Sequence, residues 1–230
     1  MNSTIIKLLS LSAMLLVAGA PQKPADAPEK QKAEIGKEAP AFELQDQHGK
    51  THKLSDYEEK IVVLEWFNES CPFCMNAWAG GILPKLLKDL DEVNTDVVYL
   101  TINSTANRPE EEVLKSGAEF LEELEVTVPM LMDYSGDVGH KYGAKTTPHM
   151  FVIDTNGVLV YEGALSDDKR FKQGKKAETH VLRAVNQVDA KEKVSPNHVK
   201  PWGCSVKYKI DGDRPERGKR PGRVPRGPRT

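Results

Sequence analysis

Residues 68–74, Asn-Glu-Ser-Cys-Pro-Phe-Cys, lie between two different hydrophobic patterns. The apolar run 61–67, interrupted by one acidic residue, precedes them, and residues 75–90, with leucines at helical spacing, follow them. A short apolar run followed by a 3.6-residue periodicity is typical of a strand that leads into a helix. The sequence therefore predicts a strand, a tight turn and a helix, with Cys71 and Cys74 at the start of the helix.

The position of this Cys-x-x-Cys pair predicts redox chemistry. Free backbone N–H groups and the positive end of the helix dipole favour an anion at a helix start, so the pKa of the Cys71 thiol should fall. Cys74 lies one turn later on the same face and could close a disulfide with Cys71. A structural zinc site would need two more soft ligands, and no second Cys-x-x-Cys or His pair has a suitable spacing.

Composition restricts the class of protein. The chain has 230 residues, 29% of them charged, and a formal net charge of -2, which gives no indication of nucleic-acid binding. Three cysteines are too few for a disulfide scaffold, whereas a pair plus one fits redox chemistry. Both ends look non-globular, so we expect one domain of ordinary size with an extension.

The N-terminal segment resembles a secretory signal. Lys7 precedes an apolar core over residues 8–17, and Ala18-Gly19-Ala20 fits the small-residue cleavage pattern. We therefore expect residues 1–20 to be a signal peptide and the protein to be periplasmic or extracellular. A membrane would be a partner only if this segment stayed uncleaved.

The remaining boundaries follow from composition. We expect a flexible linker at 21–37, a globular domain at 38–190, a cysteine-containing extension at 191–210 and a disordered basic tail at 211–230. The tail could bind an anionic surface, although a solvated tail is the simpler interpretation.

Strand and helix patterns alternate within the domain, which predicts an α/β fold with a mixed sheet flanked by helices. An Asn-Gly turn at Asn156-Gly157 predicts a late hairpin. The predicted elements are an early hairpin within 39–54, strands at 96–103, 128–133, 147–154 and 158–163, and helices at 108–124, 137–142 and 177–188.

Four of these features together resemble the thioredoxin superfamily, in its exported and peroxiredoxin-like (AhpC/TSA-type redoxin) branches. They are the Cys-x-x-Cys pair at a strand-helix junction, Thr147-Pro148 at the start of a later strand, the Asn-Gly hairpin after it, and the early stretches 40–44 and 48–50. The resemblance covers residues 39–188 and implies a thioredoxin-like fold.

The resemblance also implies catalytic roles. Cys71 would be the attacking thiol and Cys74 the resolving thiol. Pro148 matches the family's cis-proline, which faces the disulfide and presents the backbone of Thr147 to a substrate strand. Glu65 matches a buried acid that moves a proton to or from Cys74, although an ion-paired structural residue is the alternative.

Further residues receive weaker assignments. Trp66, Pro72 and Phe73 are expected to contact substrate. Cys204 lies in a Gly-Cys-x-Val-Lys pattern similar to that of some peroxiredoxin-like proteins, which implies a third redox thiol; an inert buried cysteine is the alternative. His149 follows the cis-proline position and could touch a thiolate or a metal, or be merely hydrogen-bonded.

The pattern departs from that of peroxiredoxins. Their peroxidatic Cys is preceded three residues earlier by Thr, but that position holds Asn68 if Cys71 is peroxidatic and Cys71 if Cys74 is. The position of their Arg falls near Pro148. The groups that orient a peroxide in that family are therefore missing from these positions.

We accordingly predict a thiol-disulfide oxidoreductase that exchanges a Cys71–Cys74 dithiol with protein disulfides. It would need no metal or organic cofactor, and a partner thiol reductase or oxidase would reset it. One alternative is a peroxiredoxin-like peroxidase that forms a sulfenic acid. The other is a copper-binding chaperone with Cys71, Cys74 and His149 as ligands.

Overall fold

A computed structural model describes residues 32–209 of the chain. The predicted signal peptide at 1–20, the predicted tail at 211–230 and most of the predicted linker lie outside the described residues. Within the described part, strands and helices alternate as expected, and a mixed sheet lies between layers of helices.

The central sheet has eight strands in the described region, in the order β2-β1-β5-β4-β3-β7-β8-β9. β3 lies in the middle, parallel to β4 and antiparallel to β7. A separate two-stranded pair, β6 with β10, lies beside Cys71. The strand bounds are β1 Glu43–Gln45, β2 Thr51–Lys53, β3 Ile61–Trp66, β4 Val97–Asn103, β5 Met130–Met132, β6 Thr146–Thr147, β7 His149–Ile153, β8 Leu159–Gly163, β9 His198–Val199 and β10 Cys204–Ser205.

The helix after the cysteine pair is broken in two, which the leucine spacing did not predict. Gly80 and Gly81 separate the pieces, and Gly81 has a φ of 82°, a conformation that glycine adopts without steric cost. The helix bounds are α1 Pro72–Ala79, α2 Ile82–Leu90, α3 Glu110–Glu123, α4 Asp137–Tyr142 and α5 His180–Asp189, with short 3-10 turns at Leu54–Tyr57 and Gly174–Lys176.

The sheet separates two hydrophobic cores because successive residues of a strand point to opposite faces. Ile61, Val63 and Glu65 of β3 face the core shared with α1, α2 and α5. Leu64 and Trp66 face the second core, which α4 and the N-terminal segment cover. The complete burial of β3 explains its near-continuous apolar sequence.

Residues on both sides of the predicted domain, 38–190, pair with its backbone. Residues 32–37 do not extend away as linker: the Ala33 N–H donates to the Lys141 carbonyl at 2.8 Å and the Gly36 N–H to the Leu159 carbonyl at 2.8 Å. The predicted extension at 191–210 contributes β9 to the main sheet and β10 to the site. Backbone pairing of this kind leaves little trace in side-chain composition.

Among the described residues, no helix combines the length and apolar character that a membrane span requires.

Candidate active site

Cys71 occupies the N-cap position of α1, directly after β3 and its turn, as the sequence predicted. Pro72 takes the first helical position, where its missing N–H costs nothing. The Cys71 Sγ lies 3.0 Å from the Thr147 carbonyl oxygen, to which the thiol can donate. The Thr147–Pro148 peptide is cis, as the resemblance implied. β3, α1 and β6 thus bring Cys71, Thr147 and Pro148 together.

The surroundings of Cys71 favour its thiolate. The Cys74 thiol, hydrogen-bonded to the Cys71 sulfur, is the largest cause of a Cys71 pKa that falls from 9.0 to about 4. Burial opposes this shift, while hydrogen bonds from the Cys204 thiol, from the Thr147 side chain and from the Cys74 backbone N–H add to it. Cys71 is therefore the ionised thiol of the site near neutral pH.

Cys74 has the opposite character. It is completely buried, and burial raises its pKa well above 9.0. The hydrogen bond to Cys71 and the negative charges of Glu65 and Cys71 act in the same direction. One thiol of the pair is thus held as an anion and the other as a neutral donor, an asymmetry that a stepwise exchange reaction requires.

Glu65 lies beneath the two thiols, on the face of β3 that packs against α1. Its side chain is completely buried. Burial raises its pKa from 4.5 to about 8, and the Cys71 thiolate contributes to that rise. The Tyr99 hydroxyl, which donates to Glu65 Oε2 at 2.8 Å, and the nearby Trp78 side chain limit the shift. The other oxygen, Oε1, has no hydrogen-bond partner in the described part of the chain. Glu65 is therefore a neutral acid at pH 7 and ionises close to it.

Cys204 joins the same cluster from the C-terminal side. β10 pairs antiparallel with β6, which places Cys204 opposite Thr147. Cys71 and Cys204 line one cavity of about 190 Å³ together with Asn68, Ser70, Thr105, Asn107, Arg108 and Lys207. All three cysteines are free thiols.

The predicted substrate contacts divide between surface and interior. Pro72 is exposed and Phe73 is half-buried, with its ring 6.0 Å from Trp202 and 6.2 Å from Phe171. Trp66, in contrast, has no exposed surface and donates its indole N–H to Ser104 Oγ at 3.0 Å in the second core. The expectation that Trp66 contacts substrate is wrong, because adjacent strand residues point to opposite faces and Glu65 already faces the thiols.

His149 also lies on the far face of the sheet, opposite Trp66 in the β3–β7 register. Its Nδ1 accepts from the Lys145 backbone N–H at 3.2 Å, and burial lowers its pKa from 6.5 to about 3. No group of three His, Cys, Asp or Glu residues within 32–209 is arranged to hold a metal ion. The ligand set of the copper alternative is therefore not assembled.

Sequence reasoning missed several residues around the site. The sequence pattern predicts only that Tyr99 lies in a strand. Tyr99 is two residues from Thr101, which pairs with Glu65, so both lie on the face of the sheet that carries Glu65. The buried Glu69 carboxylate forms an ion pair with the partly exposed Arg108 guanidinium and accepts from Ser116 Oγ at 2.8 Å. Trp202 carried a signal, since an aromatic residue two positions before Cys204 is unusual in a polar extension. The Glu69–Arg108 pair spans 39 positions and carried none.

A protein-family model described as the AhpC/TSA family matches residues 35–162. The chain belongs to the AhpC/TSA family. A Geobacillus thermodenitrificans relative named thiol-disulfide oxidoreductase ResA is 30% identical over 131 residues, which cover 56% of this chain and 68% of the relative. The AhpC/TSA match ends before the C-terminal segment that carries Cys204.

Two solved structures resemble this AhpC/TSA protein over most of its length. A hypothetical protein from Sinorhizobium meliloti matches with a TM-score of 0.66 and 26% identity, over 78% of this chain and 97% of that one. An uncharacterized conserved protein from Geobacillus kaustophilus matches with a TM-score of 0.67 and 22% identity, over 78% and 94% of the two chains. The predicted thioredoxin-like α/β fold, a mixed sheet flanked by helices, is confirmed.

Proposed function

We propose that the protein is a thiol-disulfide oxidoreductase that exchanges a Cys71–Cys74 dithiol with disulfides of protein substrates. The observation that carries the proposal is the asymmetry of the pair: Cys71 has a pKa lowered to about 4, whereas Cys74 is buried with a raised pKa. The similarity to the relative named thiol-disulfide oxidoreductase supports it.

In the first step, the Cys71 thiolate attacks one sulfur of a substrate disulfide. A Cys71–substrate disulfide forms and the other substrate sulfur leaves as a thiolate. The backbone edge at Thr147, next to Pro148, is the proposed binding place for the substrate strand, and Pro72 and Phe73 are the proposed side-chain contacts. An extended peptide that took the place of β10 at this edge would present its disulfide to Cys71.

In the second step, Cys74 attacks the Cys71 sulfur and releases the reduced substrate. Formation of the mixed disulfide removes the Cys71 negative charge, which had raised the pKa values of both Glu65 and Cys74. Glu65 then ionises more readily and can accept the Cys74 proton, either directly or through one water. Glu65 is thus the proposed general base of the resolving step.

A partner thiol reductase reopens the Cys71–Cys74 bond in the reductive direction, and a partner oxidase forms it in the opposite direction.

We also propose that the protein is exported and that residues 1–20 are removed, because charge, apolar core and small residues occur there in the order of a signal peptide. Stable protein disulfides, the proposed substrates, persist mainly in oxidising compartments outside the cytoplasm. N-terminal sequencing of protein recovered from outside the cytoplasm tests this proposal.

One observation favours a peroxidase as the second candidate: Thr105 and Arg108 line the cavity at Cys71. Against it, the Arg108 guanidinium is paired with Glu69 and the Thr105 hydroxyl accepts from Asn68 Nδ2 at 2.9 Å. The Glu69 carboxylate therefore competes with a peroxide for the Arg108 guanidinium, whereas the Thr105 hydroxyl keeps its own proton to donate.

Stopped-flow oxidation separates the two functions. Fully reduced protein is mixed with hydrogen peroxide in one run and with a disulfide-containing protein in another, and the fluorescence of Trp78, one turn after Cys74, reports oxidation. Fast reaction with the protein disulfide, slow reaction with peroxide and a Cys71–Cys74 product support the proposed function. Fast reaction with peroxide and slow reaction with the disulfide would make the protein a peroxidase.

A further inference from the structure

The C-terminal segment 202–208 occupies the edge at which a substrate strand would pair. β10 runs antiparallel to β6 with Cys204 opposite Thr147 and Ser205 opposite Thr146. Gly203 approaches this edge so closely that a Cβ atom on it would lie 2.2 Å from the Thr147 carbonyl oxygen. The chain's own strand therefore takes the place of a substrate strand.

Contacts on both sides of Cys204 hold this segment down. Trp202 donates its indole N–H to the Ser166 carbonyl at 3.0 Å and packs on Phe73. Tyr208 donates its hydroxyl to the Ala144 carbonyl at 2.8 Å and stacks on His140 with ring centroids 4.2 Å apart. The segment thus covers two of the proposed substrate contacts, the edge at Thr147 and the ring of Phe73.

The covering segment has a direct consequence for the attacking thiol. Cys71 is only 2% exposed, and Cys204 and Lys207 form part of the wall of its cavity. A protein disulfide cannot reach the Cys71 sulfur while the segment is docked. Cys204 is half-buried, in contrast to the completely buried Cys74.

We propose that segment 202–208 is a tethered pseudo-substrate strand and that Cys204 is a second resolving thiol, which forms a reversible disulfide with Cys71. The proposal rests on the proposed function, since it needs Cys71 as the attacking thiol. One segment would thus both close the site and supply a third partner for Cys71, in addition to the substrate cysteine and Cys74.

The chemistry balances without a further reactant. When the segment redocks after the first exchange step, the Cys204 thiol gives up its proton to water and the resulting thiolate attacks the Cys71 sulfur of the Cys71–substrate disulfide. The Cys71–Cys204 bond forms, the bond to the substrate breaks, and the substrate sulfur leaves as a thiolate that takes up a proton. The two electrons gained by the substrate come from Cys71 and Cys204. A partner dithiol then reduces a bond of which one sulfur is half-exposed.

The charges around Cys204 fit this order of events. Burial and the interaction with the Cys71 sulfur raise the Cys204 pKa from 9.0 to about 11, whereas Lys207 lowers it. Once Cys71 is part of a disulfide, its negative charge is gone and the Cys204 pKa falls. Cys204 is therefore ionised more easily when Cys71 is in the mixed disulfide than when Cys71 is a thiolate.

Two full-chain variants, Cys74→Ser and Cys74→Ser/Cys204→Ser, test the proposal with glutathione disulfide as the probe. Intact mass and peptide mapping identify the product. In Cys74→Ser we expect a Cys71–Cys204 bond with no glutathione retained, and in the double variant a retained glutathione on Cys71. An equal amount of retained glutathione in both variants would overturn the inference while leaving the proposed function intact. No adduct in either variant would instead contradict Cys71 as the attacking thiol.

A matched control moves the thiol by one residue. In the Cys74→Ser/Cys204→Ser/Ser205→Cys variant, the thiol lies on the opposite face of β10, because adjacent strand residues alternate. We expect glutathione to stay on Cys71 there. If Cys71 instead bonded to the relocated thiol as fast as it bonds to Cys204, the segment would be mobile rather than docked in this register, and the pseudo-substrate assignment would be overturned.

Gly203→Val tests the closure without changing a cysteine. Its φ of 145° and its contact with Thr147 disfavour any side chain, so the substitution should displace β10. In the Cys74→Ser background, we expect the Cys71–Cys204 bond to form at least about tenfold more slowly. In the wild-type background, reaction of Cys71 with a protein disulfide should become faster. Unchanged rates in both backgrounds would show that the segment does not cover the site.

Discussion

The Tyr99 hydroxyl donates a hydrogen bond of 2.8 Å to Glu65 Oε2, and both side chains are buried beneath the cysteine pair. This contact joins neighbouring strands β4 and β3 and stabilises the charged form of the carboxyl group. Without it, burial would raise the pKa of Glu65 further. Tyr99 thus positions and tunes the acid that we propose as the base of the resolving step.

Tyr99→Phe should shift the pH dependence of that step. Loss of the hydroxyl raises the Glu65 pKa above about 8, so release of the second substrate thiol should reach its maximum at a higher pH. The pH profile of single-turnover release measures the effect. Tyr161→Phe is the matched control, because the Tyr161 hydroxyl donates to the Ala164 carbonyl at 2.7 Å and does not contact Glu65. A profile that moves equally in both variants would contradict a specific role of Tyr99.

The pH dependence of the free energy of unfolding should change in opposite directions in the variants Glu65→Gln and Cys71→Ser. The folded pKa of Glu65 is raised from 4.5 to about 8, so its contribution to stability is complete below pH 4.5 and is lost as pH rises through 8. The folded pKa of Cys71 is lowered from 9.0 to about 4, so its contribution is present above pH 9 and is lost as pH falls through 4.

In the reduced wild-type protein, both groups affect the free energy of unfolding, and their pH dependences oppose each other between about pH 4.5 and pH 8. Relative to it, Glu65→Gln should gain stability with rising pH, and Cys71→Ser should lose stability with rising pH. Urea unfolding of reduced protein at pH 5, 6.5 and 8 measures both. If the two variants show parallel profiles, the assigned ionisation states of Glu65 and Cys71 are wrong.

Trp66→Phe should reduce stability without affecting thiol chemistry. The substitution removes buried volume and leaves Ser104 Oγ without the indole donor, a loss of about 1–3 kcal/mol in the free energy of unfolding. Trp66 lies in the core on the far side of the sheet from the cysteines, so the alkylation rate of Cys71 should stay the same. A changed alkylation rate with unchanged stability would restore the original expectation that Trp66 acts at the substrate surface.

Arg108→Met should destabilise the turn before Cys71. It leaves the buried Glu69 carboxylate with only neutral partners, the Ser70 and Ser116 hydroxyls and the Asn103 amide, which costs about 1–3 kcal/mol. Glu69→Gln/Arg108→Met removes the unpaired charge and should recover part of that loss. Denaturant unfolding of the wild type and of the two variants forms the test, and a double variant less stable than Arg108→Met would argue against an ion pair between Arg108 and the buried Glu69.

Local signals predicted much of the fold. The alternation of apolar strands and periodic helices gave the α/β class, and the Cys-x-x-Cys pair at a strand-helix junction placed Cys71 at a helix start. The Asn156-Gly157 turn does connect the antiparallel strands β7 and β8. These predictions succeeded because strand alternation, helix periodicity and turn chemistry act over a few neighbouring residues.

The pairing of strands that are far apart in the chain could not be predicted from the sequence. The pairing of Cys204 with Thr147 joins residues 57 positions apart through backbone hydrogen bonds, which have no side-chain pattern. The burial of Trp66 could have been inferred, because Glu65 and Trp66 are adjacent in a strand and only one of them can face the thiols. The glycines at 80 and 81 could have indicated the break in the helix, but the leucine periodicity that follows them favoured one continuous helix.

The most direct test of the central claim is to trap the first intermediate. A Cys74→Ala/Cys204→Ala variant retains the attacking thiol and lacks both thiols that could resolve the mixed disulfide. After mixing with a disulfide-containing protein near neutral pH, we predict a stable, dithiothreitol-sensitive complex whose linkage maps to Cys71. If no complex accumulates although the variant is folded, Cys71 does not perform thiol-disulfide exchange and the proposed function is contradicted.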